Sequence, residues 1–385
     1  MKKSSKIIAA IFITLLSLIL IVSAFLLLFE GIKLSYDPSD ESKSLDYYDI
    51  DDVKYYVYQQ KVAVTMNGDN DSLDVRTGKY RDNWLNDSSE NVLKGKFEKV
   101  GWKVVYYRLK EDLTVDTDYL IQLLESEKPQ AVLTMNFYGS ASTDEAVFIV
   151  KKHDESIKII EDFSHCTFSF KLIHNPKVDI YVSSIRKSIG VCDGSVILSK
   201  ERLPTQCIQE GQKDFADKRY VAQTEKSRYI YSKNQERKGE FLDTIRECEG
   251  IINEFSSVCS ISDRARTQLA QVNGAEIAYA RKENMRHMWM LLNGKVKMVS
   301  GLERCLEGAP FSLPILIDNR DEVQIVLAER GVYTQLLWPI CEEAQQVCGV
   351  SKMMNDQMLS IPIDQRYSWD DIEDIAGIIC DVIGV

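Results

Sequence analysis

A chain of 385 residues, 45% apolar and 27% charged, is long enough for two domains with a sizeable core and has an ordinary globular composition. Its net charge of −11, with no basic stripe, argues against nucleic acid or an anionic membrane surface as the main partner. The nine cysteines are dispersed between Cys166 and Cys380, odd in number and without a CxxC pair, a pattern of reduced, buried thiols rather than of a disulfide framework or a metal site.

The first element is apolar. Lys2, Lys3 and Lys6 precede an uncharged run, Ile7 to Phe29, of 23 residues, long enough to cross a bilayer and longer than the core of a cleaved signal peptide. It is expected to be a single-pass anchor, although "IVSA" ending at Ala24 leaves cleavage open. The positive-inside rule places residues 30–385 outside the cytoplasm, whereas the cysteines favour a reducing compartment, so the side stays open. Residues 30–52 read as an acidic stalk.

Next come two strand-like runs, "VKYYVY" and "KVAVTM", turns at "NGDNDS" and "RTGK", and a helical pattern over "NWLNDSSENVLKGKFEKVG". Beyond residue 100 the expected order is a strand at 102–107, a helix over "DTDYLIQLLESE", a strand at 131–135, a helix over "STDEAVFIVKKH", a strand at 157–162, and strands over "VDIYVSS" and "SVILS". Short apolar strands alternating with amphipathic helices predict an α/β domain with a mostly parallel sheet flanked by helices, over residues 53–230. Residues 231–385 carry longer helical patterns ("ERKGEFLDTIRECEGIINEF", "DRARTQLAQVNGAEIAYARKENMRHMWMLL"). Short strands ("VKMVS", "LPILID"), a helix ("RDEVQIVLAERG"), a strand ("VYTQLLW") and a last helix from Trp369 follow, together a smaller α+β domain.

The residues able to carry chemistry cluster in the first domain. Ligands bind open parallel sheets at the carboxyl ends of strands. Asp162 ends the strand "IKIIED", His165 follows three residues later, and Lys187 sits in a turn beyond the next strand, with Gly190 and Gly194 permitting a tight reversal. A carboxylate and a lysine on successive strand ends suit one cleft. Singly, each has a plainer explanation: a cap, a satisfied polar group, a solvated turn. A thiol hydrolase built on Cys166 and His165 is disfavoured, because adjacent side chains point apart.

"IIEDFSH" followed by "VDIYVSSIRKSIGVCDGSVIL" resembles the fold-type I pyridoxal-phosphate enzymes, and within them the DegT–StrS sugar aminotransferases. "FEKVGWKVVYYRL", "AVLTMNFYG", "RKENMRHMWMLL" and "LSIPIDQRYSWDDIEDI" extend the resemblance over about residues 88–385. It implies that Lys187 binds the cofactor aldehyde as an imine, that Asp162 pairs with the pyridine nitrogen, and that His165 lies against the ring or its phenolic oxygen. Ser184 or Ser183 would meet the phosphate, as would Thr77 and Gly78 of "RTGKY", the match to the family's phosphate-binding turn. An unperturbed lysine is a poor base at neutral pH, and burial or a neighbouring cation such as Arg186 would make Lys187 a better one.

The resemblance further implies pyridoxal 5'-phosphate as cofactor, a homodimer, and amino transfer from a donor such as glutamate to a keto-sugar nucleotide or related carbonyl. The stretch after "RTGKY" is shorter than the helix and strand the family has there, and it lacks the family's Pro-containing aromatic turn. The competing reading is therefore a membrane-anchored, inactive aminotransferase-like scaffold or binding protein.

Overall fold

In the computed structural model, residues 47–50, 53–60, 102–140, 142–169, 173–201, 208–209, 213–232, 238–254, 258–336 and 342–385 are described. Thr77, Gly78, the strand "KVAVTM", the helix before residue 100 and the apolar run Ile7 to Phe29 lie outside the described residues. Among the described residues no helix is long and apolar enough to cross a membrane.

The elements run β1 (Tyr47–Ile50), β2 (Val53–Gln60), α1 (Thr117–Glu127), β3 (Ala131–Met135), α2 (Asp144–His153), β4 (Lys158–Asp162), β5 (Ile180–Ser184), β6 (Ser195–Ser199) and β7 (Ile208–Gln209). There follow α3 (Lys213–Ser232), α4 (Lys238–Glu254), β8 (Val258–Cys259), α5 (Asp263–Leu269), α6 (Gly274–Leu292), β9 (Lys297–Met298) and β10 (Ser312–Leu316). Last come α7 (Arg320–Glu329), α8 (Glu342–Val347), α9 (Gly349–Gln357), β11 (Met358–Pro362) and α10 (Trp369–Ile383). They fall into two compact units, neither continuous in sequence.

The first unit contains β1, β2 and the segment Asp179–Asn273. Its strands lie in the order β1-β2-β6-β5, and each neighbouring pair is antiparallel. The β5–β6 connection is too short for a crossover helix, so β6 must return antiparallel. The parallel pairing expected of the sheet is therefore not found among the described strand pairs of this unit. α3 and α4 pack on each other through Ala222, Phe241, Leu242 and Ile245, with Tyr229 against them, and so across the boundary expected near residue 230.

The second unit contains Val105–Val178 and Gly274–Val385. β3 and β4 pair in parallel, as the intervening helix α2 requires. α1 begins on Asp116, whose carboxylate accepts the Tyr119 N–H, and packs on α2 with Leu124, Val147 and Val150 fully buried. β9, β10 and β11 form an antiparallel sheet. α10 buries Ile372, Ile375, Ala376 and Ile379, one stripe at helical spacing, and opens on a reciprocal cap between Ser368 and Asp371.

Three expected elements come out differently. Residues 102–107 form no strand: the chain turns back through the Leu109–Val115 bridge, and the Tyr107 hydroxyl donates to the β3 carbonyl of Leu133. The long helix expected from residue 263 is two, α5 and α6, because Asn273 and Gly274 are poor helix formers and the backbone closes into a turn at 269–272. Of "VYTQLLW", the described residues 332–336 keep only the Gln335–Ser360 bridge, and the Thr334 carbonyl is taken by the Gln324 side chain.

Candidate functional site

In the second unit, β4 ends on Asp162, which is buried. Its Oδ1 accepts the Ser164 N–H at 2.8 Å, a turn that aims the chain toward His165. His165 is buried to 1% exposure. Its Nδ1 accepts the Tyr138 backbone N–H at 3.2 Å, so a neutral ring carries its proton on Nε2. The imidazole stacks face to face on Phe311, with centroids 4.3 Å apart and planes 4° from parallel.

Phe311 is itself held in place. Its N–H donates to the Tyr138 carbonyl, and its own carbonyl accepts Arg281 Nη1 at 3.1 Å. Arg281 also reaches the Pro310 carbonyl and Gln365 Oε1, and burial brings its guanidinium down to about 10. Asn284, one turn further along α6, donates to the carbonyls of Asp364 and Tyr367. The helix "RKENMRHMWMLL" thus supports the His165 environment from behind.

β3 supplies the other wall. Asn136 follows it, and the Asn136 N–H donates to the Asp162 carbonyl at 3.0 Å. Tyr138 takes a left-handed backbone, φ 57°, which is unusual for a bulky residue. Glu161, next to Asp162, is 1% exposed, and Asn136 Nδ2 donates to its Oε1 at 3.2 Å. Burial pushes the Glu161 carboxyl up to about 8. Cys166 is no nucleophile: burial first, then the charges of Glu161 and Asp162, push its thiol well above the ordinary range. That removes the thiol-hydrolase reading. Among the described residues six cysteines carry free thiols, five of them buried, in line with the reduced set expected.

In the first unit, Ser183 and Ser184 end β5 and are buried. Lys187 closes the 3-10 turn Ile185–Lys187 that follows and is half-exposed. The turn is built by the Asp-Gly pair downstream. The Ile185 N–H donates to the Gly194 carbonyl at 3.2 Å. Gly194 has φ 120°, and a Cβ there would meet Ile261 Cδ1 at 2.9 Å, so only glycine fits. Asp193 is buried and accepts both the N–H and the hydroxyl of Ser262, the N-cap of α5. The lysine turn is therefore fastened to a helix start. Arg186, the cation expected beside Lys187, is engaged by Glu249 at 2.9 Å, and Glu249 also binds Arg219. Its positive charge is offset, which weakens the part expected of it.

The structure thus brings Asp162 and His165 together in one unit, and Ser183, Ser184 and Lys187 in the other. Sequence reading missed Glu161, Asn136, Tyr138 and Phe311. Glu161 was visible only as the acid before Asp162 in "IIED", and the other three carry no motif. An apolar cleft of about 330 Å³ in the second unit, between Met290, Leu306 and Trp369, is lined by none of the candidate residues.

No family model matches the chain, and no curated protein matches its sequence. Solved structures do. Helicobacter pylori PseC, an aminotransferase involved in the biosynthesis of pseudoaminic acid, is similar with 13% identity and a TM-score of 0.50 over 76% of each chain. DesI, solved in the presence of its TDP-sugar product, is similar with 15% identity and a TM-score of 0.50, over 76% of this chain and 73% of that one. At such identities the likeness concerns architecture, and it agrees with the resemblance carried by "IIEDFSH" and "SSIRKSIGVCDG": this chain has the fold of the DegT–StrS-type, fold-type I aminotransferases.

Proposed function

We propose that the protein is a pyridoxal-phosphate-dependent aminotransferase, moving an amino group from a donor such as glutamate to a keto-sugar nucleotide or related carbonyl. One observation carries this reading. Within an aminotransferase fold, a buried strand-end carboxylate, Asp162, is followed by a stacked His165, and a lysine sits in the glycine-closed turn after β5. The residues fit the group. A carboxylate already oriented by a backbone N–H suits a protonated pyridine nitrogen, and a half-exposed lysine suits an aldehyde. The sugar substrate is supported by the pseudoaminic acid and TDP-sugar named for the two similar structures.

When bound, the cofactor supplies an electron sink that acidifies the donor's Cα–H. Asp162 would keep the proton on the ring nitrogen. Lys187 Nζ would hold the cofactor covalently and, once displaced by the amino donor, carry the proton to and from the donor's Cα. His165 would orient the ring, its own orientation fixed by Tyr138 N–H and Phe311. Ser183 and Ser184, with Thr77 and Gly78, would serve the phosphate.

The test is chemical. The purified chain should be yellow, or turn yellow with added pyridoxal phosphate. Borohydride should fix a pyridoxyl label on Lys187, read by peptide mass, and prior glutamate should prevent labelling. A chain that stays colourless and unlabelled supports the scaffold reading instead. The reading also includes a homodimer and an anchor at residues 7–29. Carbonate washes should leave the full chain in the membrane fraction and detergent should release it as a dimer by sedimentation. Recovery in the wash would overturn the anchor.

A further inference from the structure

Glu161 is the one buried acid of the second unit's strand end that the mechanism does not use. Its position is specific. It lies opposite Thr134 in the β3–β4 register, while Asp162 lies opposite Met135, so the two adjacent acids emerge on opposite faces of the strand pair. Glu161 Oε1 accepts Asn136 Nδ2, and its carboxyl is buried with the Thr143 side chain also hydrogen-bonding to it.

Asn136 is fastened at three points. Its side chain binds Glu161, its N–H binds the Asp162 carbonyl, and its own carbonyl accepts the Gly139 N–H at 3.4 Å. The residues between those points form a tight turn, closed by Ser140 N–H on the Phe137 carbonyl at 3.0 Å. Tyr138 sits inside it with φ 57°, a conformation that costs about 1–2 kcal/mol for a residue with a side chain. A strained residue persists only where its surroundings over-determine it. Here the outcome of the strain is a backbone N–H aimed at His165 Nδ1.

We propose that Glu161 is a positioning residue for His165: through Asn136 it sets the strained 136–140 turn, whose Tyr138 N–H holds the imidazole in its Nε2–H tautomer. The relay runs carboxyl, amide, turn, backbone N–H, ring. The consequence for catalysis rests on the aminotransferase reading, whereas the relay stands on the hydrogen bonds alone.

The relay has a pH signature. The titratable groups facing Glu161 are Asp144 at the start of α2, Asp162 beside it on β4, and Cys166 in the turn that follows. All three are acids, and the first two reinforce the burial that pushes Glu161 up to about 8. Below that pH the carboxyl is neutral. Above it the carboxylate is a stronger acceptor for Asn136 Nδ2 and pulls the turn tighter.

The experiment is ¹⁵N NMR of histidine side chains in the full chain, first freed of any bound cofactor by hydroxylamine and dialysis, from pH 6 to 10. The chain has four histidines, and the His165 signals are those lost in His165→Gln. Wild type should show an acceptor-type Nδ1 and a step in its shift with a midpoint near pH 8. Glu161→Gln keeps an oxygen for Asn136, so the tautomer should stay and the step vanish. Asn136→Ala cuts the relay with Glu161 intact, so the step should vanish and the tautomers mix. Were one variant to fail to fold, the other still decides. A wild type without the step, a step that survives in Glu161→Gln, or an unmoved tautomer in Asn136→Ala overturns the relay. Because no cofactor is present, that failure is distinct from an unlabelled Lys187, which would overturn the aminotransferase reading alone.

Discussion

Lys187→Ala should abolish transamination while leaving the fold intact. A positioned general acid–base contributes about 10²–10⁴-fold on its own, and the covalent role of the same amine adds to that, so the loss should reach at least the upper end. The folding cost should be about 1 kcal/mol or less, because Lys187 is half-exposed and its turn is held by other groups: Ile185 N–H on the Gly194 carbonyl, and Asp193 on Ser262. The measurement is single-turnover amino transfer from glutamate, with a thermal melt beside it. Asp162→Asn separates the roles. It keeps an oxygen for the Ser164 N–H but removes the charge, so the label on Lys187 should persist while turnover falls by about 10²-fold or more. Equal turnover in wild type and Lys187→Ala would sink the enzyme reading. Unchanged turnover in Asp162→Asn would sink the pyridine-nitrogen role.

The candidate residues of the two units were unequally legible in the sequence. β3, α2, β4, β5 and β6 announce themselves, because each is a short apolar run or an amphipathic helix bounded by turn residues. Asp162, His165 and Lys187 were singled out because polar residues at successive strand ends are candidates for chemistry. The shape of the lysine turn was legible too, since Gly194 takes a positive φ that residues with a side chain rarely adopt. What failed was the inference from apolarity to strand. "WKVVYY" is as apolar as β3 but forms no strand, the chain beyond it folding back at 109–115, and "VYTQLLW" lost a carbonyl to Gln324.

The support of His165 was not legible at all. Phe311 comes from far along the chain and meets the imidazole only through tertiary packing. Tyr138 contributes a backbone N–H, which no side-chain pattern encodes. Glu161 was masked by its neighbour: in "IIED" it looks like a duplicate of Asp162, and only the alternation of side chains along β4 gives the two different surroundings.

Those surroundings make Glu161 the residue with the largest expected effect on stability. Its folded value of about 8 stands above the ordinary 4.5, with burial as the main cause. Between those two pH values the folded chain keeps a proton that the unfolded chain has released. Unfolding therefore releases a proton there, and stability falls as pH rises from 4.5 to about 8, then levels off. At about 1.36 kcal/mol per unit, the fall is on the order of 5 kcal/mol. Opposing it, hydrogen bonds from Asn136 and Thr143 to the carboxylate limit the rise. Glu161→Gln removes the titration, so its urea midpoint should be nearly flat from pH 5 to 9 where wild type declines. At pH 9 the variant should be the more stable by several kcal/mol; at pH 5 the two should nearly match, both side chains being neutral. Parallel curves would mean that Glu161 ionises in the folded chain as it does in the unfolded one. The buried acid behind Asn136 would then be an ordinary carboxylate, its hydrogen bond the whole of its contribution.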